Sequence, residues 1–258
     1  MANNPTVAIL GTGPAAAFCH RACLDNGITP EVYGERDHLD DPHGYFWLHG
    51  LPASSGAVRG YALDTIYVIP VGERREYYGM QLWSAPWEET SAPERAQIVN
   101  GYNWHDVKDW LWEGHRDIRE ARFQDMGHIR EETEGFDLIF VTFSPPGFAQ
   151  RQPPTREIWV TAEVYDRTSR TNWCLYNCTG WDTWLRTWQL FGVRGTEWAE
   201  DPGGRAIVQR KLDPRCTPVQ DQGKYVFVGR FAQWDRKFLC HQAYDRAVSF
   251  LQRFGVSS

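Results

Sequence analysis

Four short, largely apolar stretches stand out against a polar background: Val7-Ala8-Ile9-Leu10, Pro30-Glu31-Val32-Tyr33-Gly34, Phe136 to Phe143, and Lys224 to Arg230. Each is short and lacks alternation, the pattern of strands buried on both faces of a parallel sheet. Between the first two lies an Ala-rich helical stretch that runs from Pro14 through Cys23 and stops near Asn26-Gly27. Strand, glycine turn, helix and strand in this order make a βαβ unit.

Helical spacing recurs twice more. Val107, Trp110, Leu111 and Ile118 mark one apolar face and predict a helix over Asp106–Ala121, with Asn103 as its cap. Ala243, Ala247, Phe250, Leu251 and Phe254 do the same for a helix from about Phe238 through Phe254. A short helix is expected around Pro93–Val99.

Alternation takes over elsewhere. Leu63 to Ser84 reads as a hairpin turning at Gly72-Glu73-Arg74-Arg75, and Glu157–Tyr165 and Asn172–Cys178 read as strands. Trp181 to Phe191 fits both periods: Trp181, Trp184 and Trp188 are helically spaced, while Thr183 to Trp188 alternates. The expected architecture is α/β: a Rossmann-like domain with a mainly parallel sheet, built from residues 1–56, 131–150 and 205–258, interrupted by a smaller α+β substrate region at 57–130 and 151–204.

The chain has 258 residues, and its 42% hydrophobic and 23% charged shares belong to the soluble globular class. A net charge of −6 argues against a nucleic-acid partner, which would need a basic face. No apolar run approaches the ~20 residues of a membrane span. Met1-Ala2-Asn3-Asn4-Pro5 leads straight into the first strand without a signal-peptide pattern, so the expected location is cytoplasmic. Cys19, Cys23, Cys174, Cys178, Cys216 and Cys240 form no CxxC pair and read as free thiols in a reducing compartment. No metal cluster, nucleophilic-serine motif or Walker loop is present. The 13 Trp, 11 Tyr and 13 Phe suit a large core or a pocket that stacks on a flat ring, and composition does not separate the two.

The candidate chemistry sits at Gly11-Thr12-Gly13-Pro14-Ala15-Ala16. Gly11 permits the tight turn after the first strand. Gly13, lacking a Cβ, lets a pyrophosphate approach the backbone, and Ala16 takes the third glycine position, where a small side chain allows close helix–strand packing. The helix N-terminus adds N–H groups and positive dipole, and Pro14 suits its first turn. Glu35 closes the second strand 24 residues past Gly11. That is near the ~20-residue separation of an acid that grips a ribose diol.

These residues resemble the N-terminal FAD-binding signature of glutathione-reductase-type flavoproteins. Val228-Gly229-Arg230-Phe231-Ala232-Gln233-Trp234 with Leu239-Cys240-His241-Gln242-Ala243 is similar to the second FAD-binding segment of UDP-galactopyranose mutases and their amine-oxidase-like relatives. Gly44-Tyr45-Phe46-Trp47-Leu48-His49 resembles the loop that places a histidine near the flavin in the mutases, and Leu185-Arg186-Thr187 lies where they carry an active-site arginine. The acid that this resemblance puts near the start of the last helix is absent, since Leu239 and Cys240 stand there.

The resemblance implies FAD held by Gly11, Gly13, Pro14, Ala15, Ala16, Glu35, Arg36, Gly229 and Arg230, with His49 and Arg186 as catalytic candidates. The acid at the second strand disfavours NADP, whose 2′-phosphate it repels, and the Gly-Arg corner favours FAD over NAD. Arg230 is a cation for pyrophosphate or reduced flavin, or else a surface arginine. His49 titrates near neutral pH beside the flavin or is a structural histidine in an aromatic core. Arg186 is a two-pronged ligand for an anionic substrate. Three functions are compatible: a flavin oxidoreductase accepting a hydride from a small polar or amine-type substrate, a mutase-like enzyme using reduced flavin without net redox, and a non-catalytic flavin- or nucleotide-binding module.

Overall fold

A computed structural model of the chain describes residues 4–35, 47–56, 58–68, 97–114, 118–123, 125–144, 155–164, 171–178, 183–212, 217–235 and 238–254. The chain divides into two compact units. Unit 1 comprises Met1–Arg59, Trp104–Pro154 and Pro214–Ser258; unit 2 comprises Gly60–Asn103 and Thr155–Asp213.

In chain order the strands are β1 (Val7–Leu10), β2 (Glu31–Gly34), β3 (Trp47–Leu48), β4 (Tyr61–Val68), β5 (Gln97–Asn103), β6 (Ile118–Glu120), β7 (Leu138–Val141), β8 (Thr155–Val164), β9 (Trp173–Asn177), β10 (Trp184–Leu190), β11 (Val193–Trp198), β12 (Ile207–Leu212) and β13 (Tyr225–Phe227). The α-helices are α1 (Pro14–Asp25), α2 (Trp104–Leu111), α3 (Met126–Glu132), α4 (Arg230–Gln233) and α5 (Gln242–Arg253).

Unit 1 is built on a parallel sheet of order β13-β7-β1-β2-β6. All four residues of β1 and of β7 are buried, as their unbroken apolar runs require. Ala8, Leu10, Ile139, Val141, Tyr225 and Phe227 present one face to Met126 and Ile129 of α3 and Ala232 of α4. On the other side α1 packs on β1 and β7 and is itself backed by α2 and α5. Small residues make that close layering possible: Ala16, Ala17, Cys19, Ala22 and Cys23 on α1 and Ala243 and Ala247 on α5 are all fully buried. Each of these helices hides several side chains, at roughly 25 cal/mol per Å² of apolar surface, so tertiary burial rather than propensity fixes the helices.

The chain steps outward from β1 to β2 and β6, then returns to the opposite side of β1 for β7 and β13. The strand order therefore reverses between β1 and β7, and in open α/β sheets ligands bind at the carboxyl ends of strands at such a reversal.

Unit 2 carries a sheet of order β12-β8-β11-β10-β9-β4-β5, in which β9 and β4 pair parallel and every other neighbouring pair is antiparallel. Its buried row includes Ile158, Val160, Cys174, Trp188, Leu190 and Val193. Gly195 is obligatory here, because any Cβ would run into the Trp188 ring.

Several local expectations are corrected. The helix predicted over Asp106–Ala121 is α2, which starts at Trp104 and stops at Leu111. Gly114, at φ +72°, closes the turn that follows it, and Ile118 belongs to β6. Asn103, expected as the cap of α2, ends β5 and stands immediately before Trp104. Pairing with β4 makes 97–103 a strand, so no helix extends through Val99. The ambiguous stretch ending at Phe191 is strand from Trp184 onward. The last helix begins four residues late, at Gln242, and α4 precedes it. Residues 104–130, read from sequence as part of the insertion, fall within unit 1, where α2 packs on α1 and β6 extends the sheet beside β2. The expected hairpin turn at 72–75 lies outside the described residues.

Candidate cofactor-binding site

The carboxyl ends of β1, β7 and β13 come together in unit 1. Gly11 has φ +114°, a left-handed conformation that favours glycine, and a Cβ there would collide with Thr142 Oγ1 just past β7. Thr142 Oγ1 donates to the Leu10 carbonyl at 2.8 Å, and its N–H bonds the same oxygen at 2.9 Å. Gly34, at the end of β2, is equally confined: a Cβ would lie 2.9 Å from Thr12 Cγ2. Thr12 Oγ1 donates to the Glu35 carbonyl at 2.8 Å, so the residue between the two glycines fastens β2 to the turn.

Gly13 differs. Its backbone is extended, with φ −76°, and a Cβ built on it meets nothing within 4 Å among the described residues. Space, not backbone strain, is what this glycine supplies. It is also the N-cap of α1, where no side chain caps the helix and the first turn holds no acid. The positive end of a twelve-residue helix therefore faces that space with no capping side chain. Pro14 and Ala15 are partly exposed on its rim and Ala16 is fully buried beneath it.

The second corner arrives beside the first. Gly229, φ +105°, is the N-cap of α4, and its absent Cβ would stand 3.0 Å from Ala15 Cβ. Arg230 follows, exposed at the start of α4. Burial pushes the Cys240 thiol up to about 11, with the Arg230 charge pulling the other way. Glu35 stands at the end of β2 and pairs with Arg122 Nε at 2.9 Å, an exposed pair worth under about 1 kcal/mol. Arg36 lies outside the described residues.

The remaining candidates separate. His49 is exposed just after β3. The histidine that meets this segment is His241, immediately before α5, against whose ring a Cβ on Gly50 would lie 3.1 Å away. His241 Nδ1 is buried and has no hydrogen-bond partner among the described residues. Burial lowers its pKa from 6.5, against the opposing charge of Asp245. Sequence reasoning passed over His241, although it directly follows the Leu239-Cys240 pair where an acid was sought.

Arg186 belongs to unit 2. On β10 it faces Glu197 of β11 and forms an ion pair with it, while Lys211 Nζ reaches the same carboxylate at 3.1 Å. Burial raises the Glu197 pKa, but Arg186 and Lys211 outweigh it and hold the group at about 2. The guanidinium also lies 5.7 Å from the Tyr176 ring centre. Arg186 is thus engaged by a protein carboxylate.

No protein-family model matches the sequence, and no curated protein matches it. Solved structures do share the fold. CtdE in complex with FAD superposes with a TM-score of 0.55 at 10% identity, over 97% of this chain and 84% of that one. HpxO from Klebsiella pneumoniae, complexed with FAD and uric acid, gives 0.53 at 11% identity over 98% and 80%. The 2,6-dihydroxypyridine-3-hydroxylase of Arthrobacter nicotinovorans gives 0.51 at 9% over 98% and 84%.

Proposed function

We propose that unit 1 binds FAD and that the chain is a flavin-dependent oxidoreductase acting on a small polar substrate. One observation carries this reading: the open face of Gly13 and the α1 N-terminus lie at the strand-order reversal, with the Gly229 corner against Ala15. The residues fit a dinucleotide. Ala15 and Ala16 offer backbone to the pyrophosphate, and Glu35 offers a carboxylate to a ribose diol. Arg230 offers an exposed guanidinium. The fold likeness to FAD-bound CtdE and HpxO favours FAD over NAD.

FAD, when bound, supplies hydride acceptance. The chain's own residues hold and orient it. Gly13 would leave room for the diphosphate, Glu35 would select the diol, and Arg230 would supply a cation to the diphosphate or the flavin. A small polar or amine-type substrate is what the sequence resemblance of the Gly-Arg corner would imply, and HpxO, which shares the fold, is complexed with uric acid.

The test is direct. Protein purified as expressed, or titrated with FAD, is expected to show a flavin absorption band and to quench flavin fluorescence saturably. Protein that stays colourless and binds no added FAD overturns the reading. Bound FAD that turns over substrate without net consumption of reductant shifts it to mutase-type chemistry, and FAD binding without any turnover to a binding module.

A further inference from the structure

β13 is the edge strand of the parallel sheet, and it delivers Gly229 to the site. Its inner side pairs with β7, since Ile139 N–H bonds the Lys224 carbonyl and Val228 N–H bonds the Val141 carbonyl, both at 2.9 Å. Among the described residues its outer side has no neighbouring strand in that sheet. Tyr225 satisfies both outer groups with Gln222, at 2.9 and 3.0 Å. Phe227, two residues before Gly229, uses side chains instead. Its N–H donates to Asp221 Oδ1 at 3.0 Å, and its carbonyl accepts from Arg246 Nε at 3.0 Å. The two side chains are joined, with Arg246 Nη2 donating to both Asp221 oxygens at 2.8 and 2.7 Å.

We infer that Asp221 and Arg246 are positioning residues for the cofactor, a side-chain clamp that replaces the missing strand and fixes the height of the Gly229 corner against Ala15. The inference rests on the flavin reading above. Arg246 lies on α5, so the clamp ties three parts of the site: the sheet edge, the Gly229 corner and the helix preceded by His241. A planar guanidinium is required, because it must serve a carbonyl through Nε and a carboxylate through Nη2 at once. A lysine makes one such contact.

Asp221→Asn and Arg246→Lys test it, since each keeps the size of the side chain. Amide hydrogen exchange of the apo protein, urea unfolding, and FAD affinity by fluorescence quenching are measured on both variants and the parent. The expected result is faster exchange confined to Phe227–Gly229, with Ile9 and Leu10 as protected as in the parent. FAD Kd is expected to rise about tenfold in the folded protein, the equivalent of one charge-assisted hydrogen bond, and the visible circular dichroism of bound flavin to change. Exchange that rises evenly across the sheet, or local exchange with unchanged Kd and spectrum, overturns the clamp and leaves the flavin reading standing. A parent protein that binds no FAD overturns the flavin reading, and the clamp's cofactor role with it.

Discussion

A Cβ placed on Gly229 would stand 3.0 Å from the Cβ of Ala15. Residues 214 positions apart in the chain thus form one wall. Gly229→Ala sets two costs together: the clash with Ala15 and a non-glycine residue at φ +105°. Strain of this kind is worth roughly 1–3 kcal/mol. The urea midpoint is expected to fall and FAD affinity to fall with it. Ala15→Gly in the same chain removes the clash but not the backbone strain, so it should restore only part of each, which paired denaturation and titration curves will check.

Gly11 and Gly13 are expected to respond differently. Gly11→Ala forces a side chain into Thr142 at φ +114° and should destabilise the fold by roughly 1–3 kcal/mol. Gly13→Asp meets open space with an extended backbone, so stability should stay within about 0.5 kcal/mol. Its carboxylate would, however, occupy the place proposed for a diphosphate. Folded Gly13→Asp protein that still binds FAD as the parent does would remove the cofactor from this turn.

What could be read in advance follows from where the information lies. β1, α1, β2 and the Glu35 position are local: four apolar residues, glycines at fixed spacing, an Ala-rich helix and an acid carry their own signal. β7 and β13 were legible for the same reason, since a strand buried on both faces is apolar throughout. The end of α2 was not, because Ile118 continues its apolar period and only pairing with β2 makes it a strand. Gly229 beside Ala15, the Asp221–Arg246 clamp and the seat of His241 depend on contacts remote in sequence, which no local period encodes. Arg186 shows the converse: its residue type suggested a substrate anion, while its cross-strand neighbour Glu197 is the anion it meets.

Asp25 gathers the ends of unit 1's helices. It accepts from Arg21 and from Ser54 Oγ at 2.5 Å and Tyr244 Oη at 2.8 Å. Burial raises its pKa, but these hydrogen bonds outweigh it and hold the group below 3.8. A lowered folded pKa stabilises above the unfolded value and is lost as pH falls through the folded one. Asp25→Asn is expected to cost roughly 1.5–3 kcal/mol at pH 7 and almost nothing at pH values below the folded pKa. Urea midpoints measured across the acid limb will show whether the parent and variant curves converge there.

Glu197 makes the strongest acid-linked prediction. It is 3% exposed, and one of its oxygens meets both Arg186 and Lys211. Its pKa falls from 4.5 to about 2, so its contribution is complete above about pH 4.5 and drains away between there and pH 2. Glu197→Gln keeps the shape but leaves two cations beside a neutral amide. Removing one partner of a buried ion pair costs roughly 3–5 kcal/mol. Arg186→Met with Lys211→Met and Glu197→Leu removes every charge at once and should recover most of that loss, because the three charges also carry a desolvation cost. Denaturation at pH 7 and pH 3 separates the outcomes: the Glu197→Gln deficit should shrink at the lower pH, and the all-apolar variant should lose the dependence. If Glu197→Gln unfolds at the parent's midpoint at pH 7, the network stabilises nothing.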